Sequence, residues 1–426
     1  MKRVLLLAYF FPPRVSTGSL RATYLAKYLP RFGWQPTVIS ARFLDGAPPP
    51  WATVIETGYT DVIARAKRLV GVARGTSAHE FLGTVAPNVG SRMTTKQLLV
   101  ASVYDTLAFP DPHIGWFKHG VPVVKKLLRE ERWDALISTS YPYTAHLIAR
   151  RALKGLETPW LADLRDLWRG NLQVTGVRSS LFSLLERKTL KRANAITTVS
   201  APWAEQVAKN NPAIPTFEVR NSFDPDDWIG IPYTRPVKCT LTYAGSLYRG
   251  LRDPEPLFDA LLEEFRAGTI QRQHLEIVLY TTMEGWLSEA IERRGLQDVV
   301  KLPGHVPRRD VLYAERATSA NLLLLMNLAR ATGVYTGKIF EYLGAGRPIL
   351  TIGGPEQSVV RDVMARAGGW YARSHSEIRI ALRTLYQQHT RGDDVRLNPD
   401  VADEFSAVSM ARSFATLLDG MQAGSS

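Results

Sequence analysis

Cysteine is nearly absent from this chain of 426 residues: Cys239 stands alone. A single thiol excludes an internal disulfide and any cysteine-cluster metal site, and it fits a reducing compartment. Long apolar runs are missing too. A membrane-spanning helix needs about 18 consecutive apolar residues, and no run comes near that: residues 322–326, for one, are bounded by Asn321 and Asn327. The opening Met1-Lys2-Arg3 with apolar residues 4–11 has the start of a signal peptide. Pro12-Pro13 closes that run with no small-x-small cleavage site after it, so it reads as a first buried strand. No low-complexity tract or sequence repeat is present. With 45% hydrophobic and 22% charged residues, and 31 Gly and 26 Pro dispersed along the chain, disordered, collagen-like and coiled-coil classes drop out. What remains is a folded globular chain, long enough for two or three domains at roughly 100–200 residues each.

Positive charge is what the chain has in excess. The net charge is +13, and its placement is uneven: residues 1–200 carry 28 Lys and Arg against 13 Asp and Glu, a net +15, and the rest carries −2. Such asymmetry points to an anionic partner for the first half, whether a phosphate-bearing ligand, an anionic membrane surface or nucleic acid. A merely solvated basic face is the plain alternative. No aromatic-interleaved basic strand or helix-turn-helix pattern supports nucleic acid.

The first forty residues read as strand, helix, strand. Val4-Leu5-Leu6-Leu7 is a continuous apolar run of the kind buried on both faces of a parallel sheet. Leu20, Tyr24, Leu25, Tyr28 and Leu29 then recur at helical spacing, and Thr37-Val38-Ile39 is the next strand. Further strands are expected over 135–138, 160–163 and 195–199, whereas Pro48-Pro49-Pro50 interrupts 41–60 and residues 61–110 have no assignment. After the polar stretch Asn221-Ser222-Phe223-Asp224-Pro225-Asp226-Asp227, a second series has strands at 241–244, 276–279, 299–302, 321–325 and 348–351, with amphipathic helices between. Strands alternating with helices give parallel sheets, so the chain is expected to be α/β, with two Rossmann-like doubly wound domains in tandem. The expected boundaries are 1–222 and 238–402, a linker over 223–237, and a C-terminal crossover helix within about 403–426 that returns to the first domain.

Ligands of such sheets bind beyond the carboxyl ends of the strands, where helix N-termini offer unpaired N–H groups. Three strand-following loops stand out. The loop Phe11 to Ser19 places Gly18 ahead of a helix, small enough to let backbone N–H groups approach a phosphate, yet it has neither a Walker A nor a G-x-G-x-x-G pattern. The segment 243–254, Tyr-Ala-Gly-Ser-Leu-Tyr-Arg-Gly-Leu-Arg-Asp-Pro, leaves a strand through Gly245 and Ser246 into a loop whose Arg249 and Arg252 could neutralise a diphosphate. The most informative segment is Thr336 to Pro348: Thr336 and Gly337 precede a helix, Lys338 puts a cation at its positive end, and Glu341 lies three residues on, where a carboxylate can accept from a ribose diol. An exposed Lys338–Glu341 helix pair is the alternative reading. His113, His119 and His146 lack metal-ligand spacing, and no metal site is assigned.

Taken together, the Phe11-Pro12-Pro13…Gly18 opening, Tyr-Ala-Gly-Ser at 243–246, Gly304-His305-Val306-Pro307 and the helix from Gly337 to Pro348 resemble the retaining GT-B glycosyltransferases of family 4, especially the bacterial branch that makes surface polysaccharides. The resemblance spans nearly the whole chain and keeps the order of the family's motifs. It implies a GT-B fold with two Rossmann-like domains facing a central cleft. It further implies transfer of a sugar from a UDP- or GDP-sugar donor to a glycan or polyprenyl-diphosphate-linked acceptor, with retention, no metal or other cofactor and no protein nucleophile. Gly18 would then face the donor phosphates from the first domain. Gly245 and Ser246 stand where the family usually has Gly-Arg, so one phosphate-binding cation is missing and Arg249 or Arg252 takes the place of the later lysine. Val306 would lie beside the nucleobase, and Glu341 matches the ribose-holding second glutamate of E-x7-E. Two departures concern the sugar: the first glutamate falls on Gly333, and Arg165 occupies the place of a histidine near the transferred group. On that alignment Asp163, Arg165 and Asp166 would be the charged groups of the cleft floor, a structural Asp–Arg pair being the alternative, and Asp163, Arg165 and Lys338 are the catalytic candidates.

The resemblance also implies a cytoplasmic protein in polysaccharide (capsule, O-antigen or exopolysaccharide) synthesis, with peripheral contact to the inner membrane face through basic residues of 62–132 such as Arg65, Lys67, Arg68, Lys125 and Lys126. Two other readings stand beside it. One is a GT-B nucleotide-sugar epimerase, which would release free epimer without an acceptor. The other is a nucleotide- or membrane-binding scaffold that has lost catalysis, left open by Gly333, Ser246 and Arg165.

Overall fold

The computed structural model describes residues 1–14, 16–42, 46–62, 64, 108–169 and 177–423. By internal packing the chain divides into two units, one made of Met1–Val199, Trp203–Val219 and Ala411–Ser426, the other of Ser200–Pro202 and Arg220–Met410.

In the first unit the strands are β1 (Lys2–Leu7), β2 (Trp34–Ala41), β3 (Thr53–Thr57), β4 (Ala135–Ser140), β5 (Trp160–Leu164), β6 (Ala195–Thr198) and β7 (Thr216–Glu218). They form one sheet in the order β3-β2-β1-β4-β5-β6-β7, and every pairing is parallel. The apolar runs that suggested strands are the reason: Val4, Leu5, Leu6 and Leu7 are wholly buried, as a strand covered by helices on both faces requires. The helix Thr17–Tyr28 makes the crossover from β1 to β2 and buries Tyr24, Leu25 and Tyr28, three of the residues whose spacing announced it.

The second unit holds β8 (Cys239–Ala244), β9 (Leu275–Tyr280), β10 (Val300–Lys301), β11 (Ala320–Leu325), β12 (Ile349–Gly353) and β13 (Trp370–Ala372), in the order β10-β9-β8-β11-β12-β13, again all parallel. The doubly wound α/β architecture expected from the pattern is therefore present in both units. Three short strands, β3, β7 and β13, escaped the sequence reading. They sit at sheet edges, where few residues need burial and the apolar signal is correspondingly thin.

Residues 223–231 are packed into the second unit. Trp228 and Ile231 are buried with Leu312 and Ala345, and a Cβ built on Gly344 would overlap the Trp228 indole and lie 2.8 Å from the Phe223 ring. The C-terminal helix spans Ala407–Ala423, and its Ala411, Phe414 and Leu418 are wholly buried.

Candidate functional site

In each sheet the strand order reverses beside the first strand: β1 lies between β2 and β4, and β8 between β9 and β11. Helices leave in opposite directions at such a point, opening a crevice at the carboxyl ends.

In the second unit, the loops that leave β8, β10 and β11 carry the expected donor residues. The helix Gly337–Ala345 follows β11, with Thr336 as its N-cap in extended conformation. The Thr336 hydroxyl is buried and without a hydrogen-bond partner, so no side chain closes the first amides of this helix. The same helix is tied to the end of β8, because the Ala244 N–H donates to Tyr342 Oη at 3.2 Å. Gly245 and Ser246 follow at once. The next loop closes on itself, with Tyr248 and Arg252 exchanging backbone hydrogen bonds of 3.0 and 2.8 Å and the Gly250 N–H donating to Asp253 at 2.9 Å. Arg249 is exposed on this loop, and Arg252 is half-buried with its guanidinium over the Tyr248 ring. Val306, half-buried, stands just before the helix Arg308–Arg316.

Lys338 and Glu341 form the expected pair, but within a larger network. Lys338 Nζ contacts both Glu341 and Glu315 Oε1, the latter at 3.3 Å, and Glu315 is wholly buried. Glu341 also receives the Arg308 guanidinium, whose other nitrogen donates to Asp227 at 2.8 Å. Burial opposes charge on Glu341, yet Lys338 and Arg308 outweigh it and hold its carboxyl below the usual range. Burial dominates at Glu315, whose pKa is raised. Lys338, despite its own desolvation, is raised by the two carboxylates around it. The pair is therefore not a solvated helix face. Arg308 and Glu315 went unnoticed in the sequence and Asp227 was read only as part of a polar linker; the Arg308 position, directly after Gly304-His305-Val306-Pro307, was the one signal.

In the first unit, Asp163 ends up among internal partners. Arg21 grips it with two hydrogen bonds of 2.8 Å, while Thr139 and Thr197 donate to it at 2.6 and 2.8 Å. Asp163 is 0% exposed and Arg21 3%. Burial works against the carboxylate, and Arg21 with the two threonines overcomes it, so its pKa lies below the ordinary value. Arg165 pairs with Asp166 at 3.0 Å and donates to the Thr17 carbonyl at 3.1 Å, bracing the loop after β5 against the first turn of the helix Thr17–Tyr28. A Cβ on Gly18 would come within 3.0 Å of Phe10 and 3.3 Å of Ser16 Oγ, so this turn has no room for a side chain. His146 is a core residue: it is wholly buried, bonded to Ser138 Oγ at 2.7 Å, and held neutral by burial with a pKa of about 4. Among the described residues no three His, Cys, Asp or Glu side chains cluster as metal ligands would, and no helix is long and apolar enough to cross a membrane.

Residues 17–217 match the model of the Glycosyl transferase 4-like domain. The two parallel-sheet units match GT-B structures: the chain is similar to sucrose-phosphate synthase from Thermosynechococcus elongatus (TM-score 0.59, 10% identity, 100% of both chains covered). A glycosyltransferase from Rickettsia africae (TM-score 0.61, 12% identity, 99% and 98% covered) is similar as well. So is an E. coli trehalose-6-phosphate structure bound with UDP-2-fluoro glucose (TM-score 0.59, 10% identity, 98% and 99% covered). No curated protein matches the chain in sequence.

Proposed function

We propose that this GT-B protein transfers a sugar, with retention of anomeric configuration, from a UDP- or GDP-sugar to a glycan or polyprenyl-diphosphate-linked acceptor in surface-polysaccharide synthesis, without a metal. The observation that carries the reading is the uncapped N-terminus of the helix Gly337–Ala345, set beside the exit of β8 with Lys338 and Glu341 on its first turns. Free amides and the helix dipole favour a diphosphate there, and a cation on the same turn adds to the attraction. Charge that develops on the departing nucleotide is met by groups already in place, and such preorganised stabilisation supplies much of the rate enhancement of many enzymes. The UDP-2-fluoro glucose in the E. coli relative supports a nucleotide-sugar donor. The basic first half suits a lipid-linked diphosphate acceptor and peripheral attachment at an anionic membrane surface.

The test has two stages. A thermal-shift screen of UDP- and GDP-sugars should raise the melting temperature with one of them, since a ligand at 100 times its Kd stabilises by about 2.7 kcal/mol. Incubation of that donor with lipid-linked acceptors, followed by proton NMR of the product, then reads the anomeric configuration. A nucleotide sugar that is epimerised without acceptor would replace transfer with epimerisation.

A further inference from the structure

Above the carboxyl ends of β1 and β4, at the switch point of the first sheet, lies a group of rings that the donor reading does not use. Tyr9 and Phe10 leave β1 and Tyr141 leaves β4, and the imidazole of His113 sits among all three, with ring centroids 4.3, 5.3 and 5.5 Å away. Its placement is built in. Asp111, 2% exposed, accepts from the Thr144 N–H and hydroxyl at 2.9 Å, capping the helix Thr144–Ala152, and from the His113 N–H at 2.9 Å. One buried carboxylate thus fixes the His113 loop to the first turn of the helix after β4. Burial, helped by Arg14 nearby, lowers the His113 pKa to about 4, so the ring is neutral at pH 7. A neutral imidazole has one nitrogen that accepts and one that donates. Among the described residues neither His113 ring nitrogen has a hydrogen-bond partner.

Aromatic walls around one polar group that both gives and takes hydrogen bonds suit a ligand with an apolar C–H face and hydroxyls at its edge. A sugar ring has that character. We infer that His113, with Phe10 and Tyr141 beside it and the buried Tyr9 supporting it, forms the subsite that receives a sugar ring of the acceptor, a hydroxyl of that ring donating to the His113 imidazole. The inference rests on the glycosyltransferase reading, and names the residues that would hold the acceptor. His113 is a positioning residue here. Its low basicity suits orientation of a hydroxyl better than removal of its proton.

The experiment uses the full chain with 15N-labelled histidine and a panel of methyl glycosides of glucose, galactose, mannose, N-acetylglucosamine and rhamnose. At least one glycoside should shift the His113 ring nitrogens. The His113→Ala variant should bind that glycoside about tenfold more weakly, the loss of roughly one buried hydrogen bond, with His113→Gln recovering part of the affinity. Calorimetry with UDP and GDP runs in parallel and should be unchanged in both variants. If no glycoside moves the His113 resonances, or if His113→Ala binds as the parent does, the subsite is wrong even where UDP or GDP binds. Failure of both nucleotides to bind the parent protein instead overturns the donor reading beneath it.

Discussion

Replacing Asp163 by Asn separates two roles that the sequence left open for this residue. The carboxylate takes four hydrogen bonds, two of them from Arg21, and neither partner meets solvent. Removing its charge leaves a guanidinium in the core without its counter-charge, which costs about 3–5 kcal/mol for a buried pair. At a urea dependence of about 3 kcal/mol per M, the unfolding midpoint of the first unit should fall by about 1–1.7 M. The double variant Arg21→Leu/Asp163→Leu should lose less than the sum of the two single changes, because no lone charge remains. The pH dependence has a definite sign. Because the folded pKa of Asp163 is depressed, its contribution is fully present above the unfolded value near 3.8 and is lost as pH falls through the lower folded value. Asp163→Asn should therefore flatten the acid limb of stability below about pH 4. Urea titrations followed by tryptophan fluorescence, at neutral pH and in acid, give all three quantities. An unchanged midpoint accompanied by lost transferase activity would refute the structural reading and return Asp163 to the chemistry.

Glu341→Ala should weaken UDP or GDP binding by about 1.5–3 kcal/mol, the range for hydrogen bonds to a charged group; equal affinities by calorimetry would remove Glu341 from the ribose. Lys338→Ala should lower kcat more than it raises the donor KM if the amine stabilises the departing diphosphate, and a change confined to KM would assign it to ground-state binding. Gly344→Ala should destabilise the second unit, since its methyl would enter space held by Trp228 and Phe223, and a melting temperature equal to the parent's would contradict that packing. Finally, the protein should sediment with anionic but not neutral vesicles, in a salt-sensitive manner. Lys125→Ala/Lys126→Ala should weaken that binding, and the other named basic residues, Arg65, Lys67 and Arg68, lie outside the described residues. Equal binding to both vesicle types would leave the basic half as a solvated face.

The central strands were legible because they are buried on both faces, and burial on both faces writes itself as an unbroken apolar run such as Leu322-Leu323-Leu324-Leu325. The helix Gly337–Ala345 was legible for a local reason: Gly337, Lys338 and Glu341 fall within two turns of one another. Arg21 was not, because it lies among apolar helix residues and the carboxylate that justifies its burial is 142 positions away. Arg308 and Glu315 are hidden in the same way: each is an ordinary charged helix residue until the fold brings it to Lys338 and Glu341. The packing of Trp228 against Gly344 belongs with these, since turn-forming Asp and Pro residues gave the surrounding segment the composition of a tether.

The helix Ala407–Ala423 has a consequence for the order in which the protein is made. From Ala411 onward it belongs to the first unit, where Phe414 packs under the Arg21 guanidinium at 5.1 Å and Asp419 meets Lys2 and Trp34. A ribosome delivers these residues only after it has delivered all of 220–410, and domains ordinarily fold as they emerge. The second unit is continuous over nearly its whole length and can complete itself first. The first unit must instead wait, with the place of Phe414 and Leu418 unfilled, until residues 411–418 have followed the whole of the second. Deleting the last turns of the C-terminal helix would accordingly injure the domain farthest from them in sequence.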